Sequence, residues 1–170
     1  MIKLLITLFL LPSLSFAKGF YDIEVQMMGK KTVKMSEFKG KNVLIVNTAS
    51  HCGYTDQYED LEKLYQQVKG SGGVVIGFPS KSFNQEFSTD KEVAKFCKMR
   101  FGVTFPLSTI VDVKSHPLFK HLISSSETNK GKNVAWNFEK FVVNKQGQIV
   151  GRFGSSVKPL DQRIVSLMKK

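Results

Sequence analysis

An α/β fold with a mixed central sheet is predicted by three features of the sequence. Two apolar and β-branched runs, Val43-Leu44-Ile45-Val46-Asn47-Thr48 and Val74 to Phe78, have the length and the flanking glycine or proline of buried strands. A helical pattern lies between them, as in a strand–helix–strand unit. A late pair of segments flanks Asn144-Lys145-Gln146-Gly147, a hairpin signal that adds antiparallel strands.

The elements follow in order. Tyr21 to Gln26 alternates, Gly29 turns the chain, and Lys31 to Met35 returns, which predicts an N-terminal β-hairpin. The strand from Val43 to Thr48 comes next. Asp56 with Glu59 has the spacing of a capping box. After it, Tyr58, Leu61, Leu64, Tyr65 and Val68 fall on one helical face, and Gly70 is positioned to end the helix. Ser80 to Ser88 is polar and irregular, the composition of a functional loop. Thr89 with Glu92 is a second capping box, opening a helix through Val93, Phe96 and Cys97 before Gly102. Leu107 to Val113 reads as a strand, and His116-Pro117 leads a short helix through Leu122. Ser124 to Lys132 is a polar loop. Strands are expected over Phe138–Val143 and Gln148–Phe153, then a final helix with Pro159 in its first position. A central sheet flanked by helices, preceded by a hairpin, is the thioredoxin-like arrangement. No internal repeat or second domain is visible.

The first residues stand apart. Met1-Ile2-Lys3 is a short basic start, Leu4 to Leu14 is almost wholly apolar, and Ser15-Phe16-Ala17 puts small residues at the positions a signal peptidase reads. Residues 1–17 are therefore expected to be a secretory signal peptide and 18–170 the folded domain, exported, with a bacterial periplasm as the expected destination. The whole chain carries 25 basic and 14 acidic residues; without Lys3 the net charge is +10. The lysines are scattered and match no nucleic-acid module, so a solvated basic surface is expected rather than nucleic-acid binding. No later stretch is long and apolar enough for stable membrane insertion. No metal or cofactor motif is present: the two cysteines lie 45 positions apart, and His116 and His121 have no matching cysteine pair.

Cys52 holds the chemical interest. It follows a central strand and precedes a helix, at the carboxyl edge where α/β sheets place their sites. The partial positive charge of a helix N-terminus favours thiolate, the nucleophilic form. Position alone leaves two readings open, a reactive thiol and half of a structural disulfide with Cys97.

The sequence Val46-Asn47-Thr48-Ala49-Ser50-His51-Cys52-Gly53-Tyr54-Thr55 resembles the active-site segment of the glutathione peroxidases. Gly77-Phe78-Pro79, Gln85-Glu86 and Ala135-Trp136-Asn137-Phe138-Glu139-Lys140-Phe141 resemble later blocks of that family, in the same order. Four ordered blocks are a specific signal, and the similarity runs from about Tyr21 to Leu160. The resemblance implies that Cys52 attacks a hydroperoxide, with Gln85, Trp136 and Asn137 completing a catalytic tetrad. Taken without it, Trp136 reads as a core anchor, and Gln85 and Asn137 as ordinary loop or turn polars. Cys97 corresponds to the segment that carries a resolving cysteine in thioredoxin-dependent members. The resemblance therefore implies a sulfenic acid on Cys52, an intramolecular disulfide, and local unwinding of the helix between Thr89 and Gly102. His51 is at most a minor tuner.

The departures from the family pattern also carry information. Residue 52 is cysteine, not selenocysteine. The loop Ser80-Lys81-Ser82-Phe83-Asn84 lacks the family's cysteine, amide pair and glycine pair. The Ser124–Val134 loop lacks the insertion that tetrameric relatives use, which favours a monomer open to lipid hydroperoxides. No arginine cluster suits the glutathione carboxylates, so a thioredoxin-like reductant is favoured over glutathione. Two rivals remain at this level. A thiol–disulfide oxidoreductase needs a second cysteine within a helical turn of Cys52, and residues 53–55 supply none. A non-enzymatic exported domain held by a Cys52–Cys97 disulfide leaves the Gln85 and Trp136-Asn137 blocks unexplained.

Overall fold

The structure, a computed structural model, describes residues 19–29 and 31–170. The expected signal peptide lies outside these residues. Strands β1 (Glu24–Gln26) and β2 (Thr32–Lys34) pair antiparallel as the predicted hairpin, while Tyr21 and Asp22 belong to a preceding 3-10 turn instead. The main sheet contains β3 (Val43–Thr48), β4 (Val74–Pro79), β5 (Lys140–Val143) and β6 (Ile149–Phe153) in the order β4-β3-β5-β6. β3 and β4 are parallel; β5 runs antiparallel to both β3 and β6. This is the thioredoxin-like α/β fold that the alternation of elements implied.

All six residues of β3 and all six of β4 are buried, because both faces of the sheet are covered. Alternate residues feed two apolar clusters. Val43, Ile45, Ile76, Phe78 and Phe141 join the hairpin and helix α3 (Pro117–Ser125). Leu44, Val46, Val75 and Val142 join α1 (Gln57–Val68), α2 (Asp90–Phe101) and α4 (Gln162–Lys169), and Cys52 and Cys97 lie in this second cluster.

Several local expectations are corrected. Asp56 does precede α1, but its side chain makes no cap: its backbone is already helical, and a run of turns from Cys52 feeds straight into the helix. Glu59 N–H donates to the Asp56 carbonyl, so backbone replaces the capping box. Gly72, not Gly70, provides the left-handed stop, after a 3-10 turn over Lys69–Ser71. Leu107–Val113 is not a continuous strand. It follows the free edge of β4 at two bridges, Gly77 with Leu107 and Ser80 with Val111. Between them Thr109 N–H turns to the Gln26 carbonyl and Ile110 N–H to the Asp90 carboxylate, which breaks the ladder. Phe138 and Glu139 fall outside β5 because Phe138 is left-handed at φ 62°. Helix α3 runs on to Ser125, and α4 begins after Asp161 rather than at Pro159.

The Thr89–Glu92 capping box is present in full: Thr89 Oγ1 accepts from Glu92 N–H, and Thr89 N–H donates to the Glu92 carboxylate. Gly102 ends α2 in the left-handed conformation at φ 63°. Thr89→Ala is expected to cost about 1 kcal/mol, read as a lower urea midpoint with an unchanged slope.

Candidate active site

Cys52 sits between the end of β3 and the start of α1, and only 9% of it is exposed. Its surroundings are not purely apolar. Tyr54 N–H donates to Cys52 Sγ at 3.4 Å. The loop is locked by Thr55: its hydroxyl accepts from Cys52 N–H at 3.0 Å and donates to the Ala49 carbonyl at 2.9 Å. Thr55 is buried, so the loop around the sulfur is fixed from beneath.

The other expected site residues come from two distant segments. His51 N–H donates to the Gln85 carbonyl at 2.9 Å, which ties the Ser80–Ser88 loop beside Cys52. Asn84 takes a left-handed backbone, φ 56°, immediately before Gln85. Gln85 Oε1 accepts from Asn137 Nδ2 at 2.9 Å. The buried Asn137 keeps its own Oδ1 without a protein partner. Trp136 is no core anchor: it is 41% exposed, with its ring 5.0 Å from that of Phe83. Cys52, Gln85 and Asn137 are thus linked at one edge of the sheet, through backbone at His51 and through side chains at Gln85–Asn137; Trp136 precedes Asn137 in the chain, with its ring against Phe83. His51 is exposed and meets Phe87 edge-on at 4.4 Å.

Residues outside the expected set build the Trp136-Asn137 turn. Asn47, one of two polar residues that close the otherwise apolar β3, donates from Nδ2 to the Trp136 carbonyl at 3.0 Å and accepts at Oδ1 from Glu139 N–H at 3.0 Å. Phe138 N–H donates to the Asn47 carbonyl at 2.6 Å. The left-handed backbone of Phe138 costs on the order of 1–3 kcal/mol, and these bonds hold it. Lys140, fully buried, donates from Nζ to the Phe138 carbonyl at 2.8 Å. Glu139 and Arg152 form a buried ion pair, and Glu139 also accepts from Ala135 N–H at 2.9 Å. The sequence carried one signal for Asn47 and Lys140: a polar side chain inside an apolar strand run.

The chain as a whole is similar to known proteins. The family description "Glutathione peroxidase" matches residues 20–123. The chain is 42% identical over 159 residues to glutathione peroxidase-like peroxiredoxin 2 of Saccharomyces cerevisiae, covering 89% of this chain and 98% of that protein. The chain belongs to the glutathione peroxidase family. A second member, the glutathione peroxidase of Lactococcus lactis subsp. cremoris, is 38% identical over 156 residues, which is 88% of this chain and 99% of that one. Among solved members, the crystal structure of Trgpx in apo form superposes with a TM-score of 0.70 at 35% identity, over 91% of this chain and 98% of that chain. A thiol:disulfide interchange protein of Chlorobium tepidum superposes at 0.65 with 16% identity, a likeness of fold alone.

Within this family member, Cys97 lies apart from solvent. It is 0% exposed on α2, and both cysteines are free; membership of the family does not favour the structural-disulfide alternative. Burial pushes its thiol up to about 11, opposed by Tyr58 and reinforced by the charge of Glu86. Glu86 is itself raised by burial. Among the described residues no group of three or more His, Cys, Asp or Glu could hold a metal, and no helix is long and apolar enough to cross a membrane.

The raised thiol has a pH consequence. The unfolded chain releases this proton near the ordinary value of 9.0, the folded chain only near 11. The stability contributed by the neutral buried thiol is therefore complete below about 9 and declines as pH rises toward 11. At pH 8 the native reduced protein should take up one equivalent of iodoacetamide, at Cys52. Cys97 should follow only in denaturant, as counted by mass spectrometry.

Proposed function

We propose that the protein is a thiol peroxidase that reduces hydrogen peroxide and organic or lipid hydroperoxides at Cys52. Membership of the glutathione peroxidase family establishes the class. The observation that carries the residue assignment is the Asn137–Gln85 bond of 2.9 Å, made while Gln85 is tied to His51 beside Cys52. This convergence beside Cys52 supports the assignment.

The thiolate of Cys52 attacks the terminal peroxide oxygen. The O–O bond breaks, its electron pair leaves on the distal oxygen, and protonation releases water or an alcohol. Cys52 becomes a sulfenic acid. The Asn137 amide and the Trp136 indole are the donors for the oxygen that gains charge. Gln85 fixes the Asn137 amide by accepting one of its N–H groups and brings its own amide to the same edge.

Cys97 resolves the sulfenic acid. Its sulfur bonds to Cys52, and the hydroxyl leaves as water. Buried and protonated, Cys97 is a poor nucleophile in the folded helix, so α2 opens first. Two properties support this. Of the 12 residues of α2 only Val93 and Cys97 are fully buried, Phe96 and Phe101 are half-buried, and Met99 is 75% exposed. Few buried contacts make local opening inexpensive. A thioredoxin-like dithiol then reduces the disulfide, the chain acting as a monomer. Residues 1–17 direct export, with the periplasm as destination and 18–170 as the mature domain.

Stopped-flow mixing of hydroperoxide with reduced protein tests the cycle. Cys52→Ser is expected to abolish peroxide consumption. Cys97→Ser should permit one turnover and stop at a sulfenic or over-oxidised Cys52. Equal consumption by wild type and Cys52→Ser rejects the assignment. For export, the full chain expressed in a bacterium should yield a mature protein beginning at Lys18 in the periplasmic fraction; an intact Met1 terminus in the cytoplasm rejects that part.

A further inference from the structure

Lys140 is the fully buried cation of the sheet and has no role in the chemistry described above. It is the first residue of β5, opposite Val46 of β3 on one side and Phe153 of β6 on the other. Its Nζ donates to two backbone carbonyls, Phe138 at 2.8 Å and Ser155 at 3.4 Å. The same Ser155 carbonyl accepts from Gln57 Nε2 at 2.7 Å. Gln57 is the first residue of α1, five positions after Cys52. One amine therefore joins the turn that carries Trp136 and Asn137 to the start of the helix that follows Cys52.

A methionine or leucine would fill this buried position without the desolvation cost of an amine. The cost is met by what the amine does. Phe138 is left-handed at φ 62°, outside the regular strand, and its carbonyl takes a side-chain donor at the point where the β5 ladder has yet to begin. Without that donor the carbonyl would be buried and unpaired, and the turn would lose one of the bonds that hold its conformation.

We infer that Lys140 is a positioning residue for peroxide reduction: it braces the Trp136-Asn137-Phe138 turn against the Ser155–Gln57 link and so sets where the Asn137 amide and Trp136 indole stand relative to Cys52. This rests on the peroxidase reading of the Cys52 site. Burial drives the Lys140 pKa down to about 7, opposed by the neighbouring Glu139 carboxylate. The neutral amine still has two N–H groups for the two carbonyls, so the brace does not require the charge. Glu139 itself is engaged elsewhere, with Arg152 and with Ala135 N–H.

Lys140→Met keeps the stem and removes the donors. The expected result is a fall of about tenfold to a hundredfold in the second-order rate of Cys52 oxidation by hydrogen peroxide. A shift in the fluorescence of Trp136, the single tryptophan of the sequence, should accompany it in the reduced, peroxide-free protein. Leu122→Ala, in the cluster on the opposite face of the sheet, provides the comparison for lost stability alone. It should lower the melting temperature while leaving rate and emission unchanged. Gln57→Leu is measured in parallel, because it cuts the second leg of the brace from a half-buried position. A several-fold loss of rate with a smaller emission shift is expected. Wild-type rate and emission in Lys140→Met, or in Gln57→Leu where Lys140→Met does not fold, overturn the inference. Peroxide consumption by Cys52→Ser would instead reject the peroxidase reading, and the emission shift, which needs no peroxide, would still decide whether the brace exists.

Discussion

The site depends on how the chain re-enters the sheet before β5. Strand β3 ends with its Asn47 side chain bonded on both sides of the approaching turn, to the Trp136 carbonyl and to Glu139 N–H. That pair of bonds converts an apolar strand into a template for a polar turn. It forces Phe138 into a left-handed backbone, lifts Trp136 to the surface and directs Asn137 inward toward Gln85. The strain at Phe138 is tolerable because the turn is fixed at several points at once, and because the Phe138 ring is itself buried in the cluster beneath Cys52.

The two sulfurs occupy different depths of one apolar cluster. Cys52 lies at its margin, with an N–H group aimed at the sulfur and a helix N-terminus ahead. Cys97 lies inside it, where desolvation and the charge of Glu86 favour the protonated thiol. The same burial that stabilises α2 thus keeps its cysteine from solvent, with Phe96 and Phe101 half-buried against the same cluster.

Much of this was legible in the sequence. The periodicities fixed β3, β4 and α1, because continuous and amphipathic burial leave opposite signatures in composition. The Thr89–Glu92 box marked the start of α2, since both bonds of that motif are local. Where partners are distant, local patterns misled. Asp56 had the spacing of a cap, yet the turns running out of the Cys52 loop made its side chain unnecessary. Leu107–Val113 had strand composition, yet Gln26 and Asp90 took two of its N–H groups. Phe138 read as strand, yet its conformation is set by Asn47, 91 positions earlier in the chain.

By itself the sequence determined the class of fold, the order of its elements and the family, because hydrophobic period and ordered motifs are written in consecutive residues. Tertiary structure alone decided that Gln85 bonds Asn137, that Trp136 is half exposed, that Cys97 is sealed in the core and that Lys140 lies beneath the turn. Each of these depends on a partner brought close by folding, and burial and hydrogen bonding between distant residues leave no mark on the local pattern.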